Sequence, residues 1–549
     1  MGLRPLAAFL ALLVVGRVET ARAEPQQMVA AAHPQAVEAG LEVLRRGGTA
    51  IDAAVAVQMM LGVVEPQASG IGGGGFLLYY DGATHAITVY DGREAAPAGA
   101  TPTMFLGSDG KPLPFRQAVA SGLSVGVPGA VALLEMAQKE HGRLAWNSLF
   151  GTSIEAARTG FAVSSRLADW LTRVKPFRDE PAARATYYNA DGSAKKEGER
   201  VVNTPLAETM QLLADKGGSV LREGPIAEQI AARVHQHVRP GTLTLADLAN
   251  YRPIKREALC GPYRVWTICG MGPPSSGGLA ILQALAILEP FELRHDPPND
   301  LRSVHLIAEV SRLIFADREY YVDDPAFTPV PVDKLLAPSY LDQRRKLISL
   351  DRSMGPQGTV PAGYVEHGTS HMTIVDRQGN AISFTTTIES PFGSLMMVGG
   401  FILNNELTDF SPVAERDGKP VANRAEPGKR PRSSMSPTFV LNKDGSLVLA
   451  VGSAGGQRII GDTLQALIGM LDWNLSAQAA LDLPRVLNMN GPTELEEKGD
   501  LPALAGRLRA LGHEVQVRRQ EGGLTAIRRE GDGWGGGADP RRDGVARGD

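Results

Sequence analysis

The chain has 549 residues, 43% of them hydrophobic, and a mean hydropathy of −0.10; it can bury a large core and is not disordered by composition. A formal net charge of −4 and a pI near 6.3, with no basic block, give no electrostatic footprint for nucleic acid and favour small-molecule substrates. The only cysteines, Cys260 and Cys269, exclude zinc ribbons and multi-disulfide scaffolds.

The N-terminus carries Arg4, an apolar run from Pro5 to Gly16 and the small-x-small ending Ala21-Arg22-Ala23. That pattern predicts a signal peptide over residues 1–23, cleaved before Glu24, with an uncleaved anchor as the alternative. No later segment reaches 18 consecutive apolar residues, so the mature protein is expected to be exported without a stable membrane span, secreted or, in a bacterium, periplasmic.

Helical periodicity with end signals predicts helices at Pro34 to Arg46, stopped by Gly47-Gly48, and at Ala50 to Leu61. Further helices are predicted at Pro128 to Glu140, Pro205 to Lys216, Pro225 to His237, Gly278 to Leu288, Val304 to Tyr321, Gly456 to Leu471 and Leu501 to Leu511. Strand hairpins interleave with them: Phe76 to Tyr90 around Asp81-Gly82, Thr438 to Ser453 around Asp444-Gly445, and Leu524 to Gly536 around Gly531-Asp532. Hairpins followed by helices indicate a mixed α+β layered fold with antiparallel sheets. If residues 258–271 form a hairpin turning at Arg264-Val265, Cys260 falls opposite Cys269, and export permits oxidation. Arg-Val is a poor turn pair and Gly261-Pro262 offers a competing turn, so a disulfide and two free thiols both stay open. Ser411 to Ser433, polar and rich in proline and charge, reads as an exposed loop. Gly72 to Gly75 lacks the Lys-Ser/Thr of a phosphate loop and reads as close packing. Asp323-Asp324 and the ten histidines show no metal-ligand spacing; no metal or cofactor is expected.

The richest stretch is GTSHMTIVDRQGNAISFTTT, Gly368 to Thr387. Alternation over His371 to Val375, turn residues Asp376, Gly379 and Asn380, and a β-branched run from Ala381 predict a hairpin. A turn centred near Gln378 sets Thr369 opposite Thr387, about 4.5 to 5.5 Å apart and within reach of a hydroxyl hydrogen bond. If the chain is cut before Thr369, the freed α-amine, pKa about 7.7 to 8, is roughly 10 to 20% unprotonated at pH 7, against about 0.04% for a lysine. That amine can take the hydroxyl proton and make Thr369 a nucleophile. Ordinary packing threonines are the alternative, and His371 reads as support for the strand rather than as a proton carrier.

With Gly399 to Ser411, Lys429 to Val440 and Gly452 to Ile460 downstream, this stretch strongly resembles the γ-glutamyltranspeptidase family of N-terminal nucleophile hydrolases, also called glutathione hydrolases. Gly47 to Phe76, Tyr90 to Thr101, Ser124 to Val131, Pro273 to Gly278 and Gly536 to Gly544 also resemble family segments, in the family's order, so the likeness covers nearly the whole chain beyond residue 24. It implies a single four-layer αββα body built from two interleaved fragments, 24–368 (large) and 369–549 (small, with Thr369 first), where length alone suggests about three domains. It also implies roles at the site: Thr369 as nucleophile, Thr387 holding its hydroxyl, Gly455 and Gly456 as an oxyanion hole, and cleavage between Gly368 and Thr369. Arg93, Ser433 and Ser434 would take a substrate α-carboxylate, and Glu406 and Asp409 its α-ammonium. Glu389 stands where many members have asparagine. The family's covering lid lies within Ser411 to Ser433, a short stretch here.

The expected activity is transfer of a γ-glutamyl group from glutathione or a related amide to water, an amino acid or a peptide, through an acyl-enzyme on Thr369. A glutaryl-cephalosporin acylase is the enzymatic rival. An uncleaved, non-catalytic binding protein is the rival of another class.

Overall fold

The computed structural model describes residues 24–358 and 368–549; the expected signal peptide, residues 1–23, lies outside the described residues. Two antiparallel sheets stack face to face, each covered outside by helices. The first runs, in spatial order, Val545–Gly548, Met28–Ala31, Gly368–Val375, Ala381–Glu389, Gly74–Tyr80, Ile87–Asp91 and Ile254–Arg256. The second runs Gly533–Ala538, Thr525–Glu530, Leu447–Gly452, Thr438–Leu441, Trp266–Gly270 and Leu259–Tyr263. Phe76, Leu78, Phe439, Ala450 and Ile527 close the space between the sheets. Helices Pro34–Arg45 and Ala50–Val64 pack outside the first sheet, and Gly277–Leu288, Leu301–Tyr321 and Arg458–Leu471 outside the second. This is the expected αββα sandwich. Each sheet contains strands from both sides of Gly368, so a cut at that point leaves two fragments that share their sheets.

The hairpin's register follows from its own pattern. Met372, Ile374, Ile382 and Phe384 are fully buried against the outer helix layer, each contributing about 1.5 to 3 kcal/mol of burial. A slip of one residue would send that apolar set to the opposite face. The pattern therefore fixes which side Thr369, His371 and Thr373 occupy, the side facing the second sheet, where Thr373 reaches Thr525 at 3.2 Å. Asp376 stabilises the turn by accepting from the backbone N–H groups of Gln378 and Asn380, at 2.9 and 3.0 Å, and Gly379 supplies the positive φ of +79°. Gly73 is glycine because a Cβ there would sit 2.0 Å from the Thr387 carbonyl oxygen; the glycine run is close packing, as expected.

Predicted helices and hairpins recur with shifts of a few residues at their ends. Leu501 to Leu511 divides into a 3-10 turn, Leu501–Leu504, and a short helix, Ala505–Ala510. Helices Gly151–Thr159, Ser165–Arg173 and Pro181–Tyr187 add to the predicted set; they are short, although Gly160 ends the first, Ser164 caps the second and Pro181 opens the third. The Cys260 alternative closes in favour of a disulfide to Cys269. The hairpin turns at Arg264-Val265 as required, and its poor turn pair is held from outside: Arg264, at φ +57°, donates to Asp472 at 2.9 Å and receives the Glu289 carboxylate on its backbone N–H at 2.7 Å. The expected exposed loop is corrected in part. Its middle is open, with the strands Glu415–Arg416 and Lys419–Pro420 exposed, but its C-terminal end is buried. Lys429 is fully buried 2.8 Å from Asp323, and Arg430 is buried 2.5 Å from Asp91. Sequence polarity misleads there because each charge is matched by a partner more than a hundred residues away.

Candidate active site

Thr369 and Thr387 are cross-strand partners, both 3% exposed, with their hydroxyl oxygens 3.2 Å apart. Thr387 Oγ1 donates to the Gly368 carbonyl oxygen at 2.6 Å and accepts from the Glu389 N–H at 2.8 Å. Its one proton is committed, so the Thr369 hydroxyl is the donor within the pair. The strand bulges between Thr387 and Glu389, and Glu389 takes φ +77°, a conformation a non-glycine residue holds only under strain. Arg542 donates to the Thr369 carbonyl at 2.6 Å. The atoms on both sides of the Gly368–Thr369 peptide bond are thus fixed by hydrogen bonds. His371 bonds Thr385 at 2.8 Å, and burial pulls its imidazole down to about 3; it is neutral and does not line the cavity.

Both threonines open onto a small cavity, whose wall also includes Arg93, Glu389, Glu406, Asp409, Ser433, Ser434 and Gly456. Gly455 is next in the chain but not on the wall. The two glycines, at φ +126° and +61°, link strand Leu447–Gly452 to helix Arg458–Leu471. Neither of their N–H groups meets a protein acceptor among the described residues.

Charges of both signs line the cavity. Arg93 is fully buried, its guanidinium paired with Glu406 and Asp409 and donating to the carbonyls of Pro431 at 3.1 Å and Arg432 at 3.0 Å. The expected open fork for a carboxylate is therefore already committed to protein oxygens. Glu94, next in the chain, adds a buried carboxyl, so Glu94, Glu406 and Asp409 all act on one arginine, with Glu389 close enough to act on Glu406. Burial, against the pull of Arg93, pushes Glu94 up to about 8. Burial with repulsion from Glu94, Asp409 and Glu389 raises Glu406 well above the carboxylate range, despite Arg93. The acidic group therefore retains a proton at neutral pH instead of carrying every charge its sequence suggests. Arg318 and Arg432 share Glu319, Arg432 Nη2 reaching both of its carboxylate oxygens at 2.9 Å. Arg318 lines the cavity.

Glu94, Arg318 and Arg542 were not singled out from sequence. A cation near a helix C-terminus, as at Arg318, is ordinary, and nothing in spacing links it to residues a hundred positions on. Linear spacing also overlooked a buried cluster, His305, Glu309 and His513, in which His305 Nδ1 lies 2.7 Å from His513 Nε2 and His305 Nε2 lies 2.7 Å from the Ser349 carbonyl. Glu309 accepts from Arg312, Ser353 and the Met354 N–H, which makes the cluster a hydrogen-bonded junction.

The sequence profile of the family described as Gamma-glutamyltranspeptidase matches residues 36–548. The glutathione hydrolase proenzyme of Bacillus subtilis (strain 168) is 39% identical over 543 residues, 95% of this chain and 91% of that protein. The acylase ACY 1 proenzyme of Pseudomonas sp. (strain SE83) is 35% identical, covering 92% of this chain and 90% of that one. Among solved structures, a cephalosporin acylase from Bacillus halodurans superposes with a TM-score of 0.83 at 30% identity, over 95% of this chain and 96% of that one.

Proposed function

The chain belongs to the γ-glutamyltranspeptidase family, and from that premise we propose that it cuts itself between Gly368 and Thr369 and then uses Thr369 to transfer γ-glutamyl groups. It is an enzyme with the hydrolase and acyl-transfer chemistry of that family. The observation that carries the residue-level reading is the Thr369–Thr387 pair, with Thr387 bonded to the Gly368 carbonyl, opening onto the same cavity as Arg93, Asp409 and the two serines.

In maturation, Thr369 Oγ1 attacks the Gly368 carbonyl carbon while the Thr387 hydroxyl polarises its oxygen. The C–N bond breaks, an ester forms on Thr369, and the nitrogen takes up the hydroxyl proton and leaves as a free α-amine. Water then hydrolyses the ester, leaving Gly368 as a carboxylate. In turnover, the amine takes the Thr369 hydroxyl proton as Oγ1 attacks the substrate amide carbon. The N–H groups of Gly455 and Gly456 receive the developing oxyanion, each such donor contributing about 2.7 to 4 kcal/mol. The protonated amine returns the proton to the leaving nitrogen, and water or an amino-acid or peptide amine takes the acyl group from Thr369.

The presence of both carboxylates and arginines on the cavity's wall suits an α-amino acid, which carries both charges. Glutathione is the donor class we favour. A glutaryl amide lacks the ammonium, and the likeness to named acylases keeps that reading as the alternative. Among the described residues no helix is long and apolar enough to cross a membrane; we propose export on the pattern of residues 1–23, and two subunits, 24–368 and 369–549, held together without a covalent link.

Intact mass of the purified protein tests this. Two chains ending at Gly368 and beginning at Thr369 are expected, with Thr369→Ala remaining one inactive chain and Thr369→Ser still cleaving. A small fragment with another first residue, or an active uncut enzyme, would overturn it.

A further inference from the structure

We infer that Arg318 is a positioning residue for the substrate's α-carboxylate: it fixes the Ser434 hydroxyl as a donor into the cavity. This rests on the γ-glutamyl reading and deepens it. Arg318 Nη2 donates to Ser434 Oγ at 2.8 Å, and its Nε donates to Ser276 Oγ at 3.1 Å. Guanidinium cannot accept, so the Ser434 hydroxyl hydrogen must point elsewhere. Ser433 is set in the same way from the backbone, its Oγ accepting from the Met435 N–H at 3.1 Å. Neither serine hydroxyl donates to a protein acceptor among the described residues. Both serines line the cavity and are 2% and 7% exposed.

Each serine thus has its acceptor side occupied and its donor side free, the arrangement that receives an acceptor-only carboxylate. Ser276 locks the frame by donating to the Ser433 carbonyl at 2.8 Å. Arg318 adds positive charge to that wall. With Arg93 bonded to Glu406, Asp409 and two carbonyls, the serine pair and the arginine that holds it offer donors to a carboxylate.

The experiment compares three p-nitroanilides that share a leaving group: γ-glutamyl, glutaryl (no ammonium) and 4-aminobutanoyl (no carboxylate). Arg318→Gln should raise KM about 10- to 100-fold for the γ-glutamyl and glutaryl amides, the range for a charged hydrogen bond, with kcat changed less than about threefold. The 4-aminobutanoyl amide should change less than about threefold. Ser434→Ala should give the same pattern, and the double variant should be no worse than the poorer single within about threefold. Equal loss on all three amides, or additive losses, would overturn the role. If Arg318→Gln fails to self-process, Arg318→Lys decides: a KM rise of about fivefold or more confined to carboxylate donors supports the inference, and unchanged KM overturns it. A wild type that prefers either truncated amide to the γ-glutamyl one would overturn the γ-glutamyl reading itself, an outcome separable because it needs no variant.

Discussion

The Thr387 hydroxyl lies 2.6 Å from the carbonyl oxygen of Gly368, the oxygen that becomes negative in the proposed attack of Thr369 on the preceding peptide bond. On that proposal Thr387 assists the self-cleavage as well as holding the nucleophile. Thr387→Ala should slow appearance of the small fragment by about 10²- to 10³-fold, the usual effect of removing one oxyanion donor. Thr387→Ser should stay within about tenfold of wild type. A time course of intact mass checks this, and cleavage of the alanine variant at the wild-type rate would remove Thr387 from maturation.

Asp409 sits on the acidic wall with its side chain 30% exposed. Asp409→Asn should lower kcat/KM for a γ-glutamyl amide by about 30-fold, or roughly 2 kcal/mol, the low end for unpairing a buried charge because the site is partly solvated. The glutaryl amide, without an ammonium, should be nearly unaffected. Parallel kinetics on the two amides give the answer; equal losses would displace the ammonium assignment.

Glu94 is held up to about 8 by burial, above the unfolded carboxyl near 4.3. The native state therefore binds a proton that the unfolded chain has released, and this group's contribution to stability is full below about pH 4 and lost as pH rises through about 8. Glu94→Gln stays neutral throughout. The Tm difference between Glu94→Gln and wild type should move in favour of the variant as pH rises from 5 to 8, measured by differential scanning calorimetry. A constant difference would mean that Glu94 is ionised across the range.

The Cys260–Cys269 bridge closes a short loop, with a sequence separation of 9, for which chain entropy predicts about 2 to 3 kcal/mol. Neither cysteine lines the active cavity. Replacing both with serine should lower Tm by a few degrees and leave kcat/KM for the γ-glutamyl amide within about twofold. A large loss of activity at unchanged stability would tie this hairpin to the site.

Local pattern determined much of this protein. The alternation of Met372, Ile374, Ile382 and Phe384, with turn residues at Asp376 and Gly379, fixes the hairpin's register by itself, because a slip of one residue would turn the whole apolar set away from the helices. The Thr369–Thr387 pairing follows directly and was legible before any coordinates, as were the helices with clear caps and glycine stops. The αββα architecture and the remaining site roles came from the family likeness and not from periodicity.

Tertiary structure decided what depends on distant partners. Whether Cys260 met Cys269 turned on Asp472 and Glu289 holding an unfavourable Arg264 turn. Whether Lys429 and Arg430 were exposed turned on Asp323 and Asp91. The charge state of Glu406 depended on its burial and then on Arg93 and Glu94, the latter 312 positions away in the chain, and the direction of the Ser434 hydroxyl on Arg318. Periodicity reports which face of an element is apolar, since that is a property of neighbouring residues. A buried charge or hydroxyl is defined by the groups around it in space, which approach from every part of the chain and leave no mark in local order.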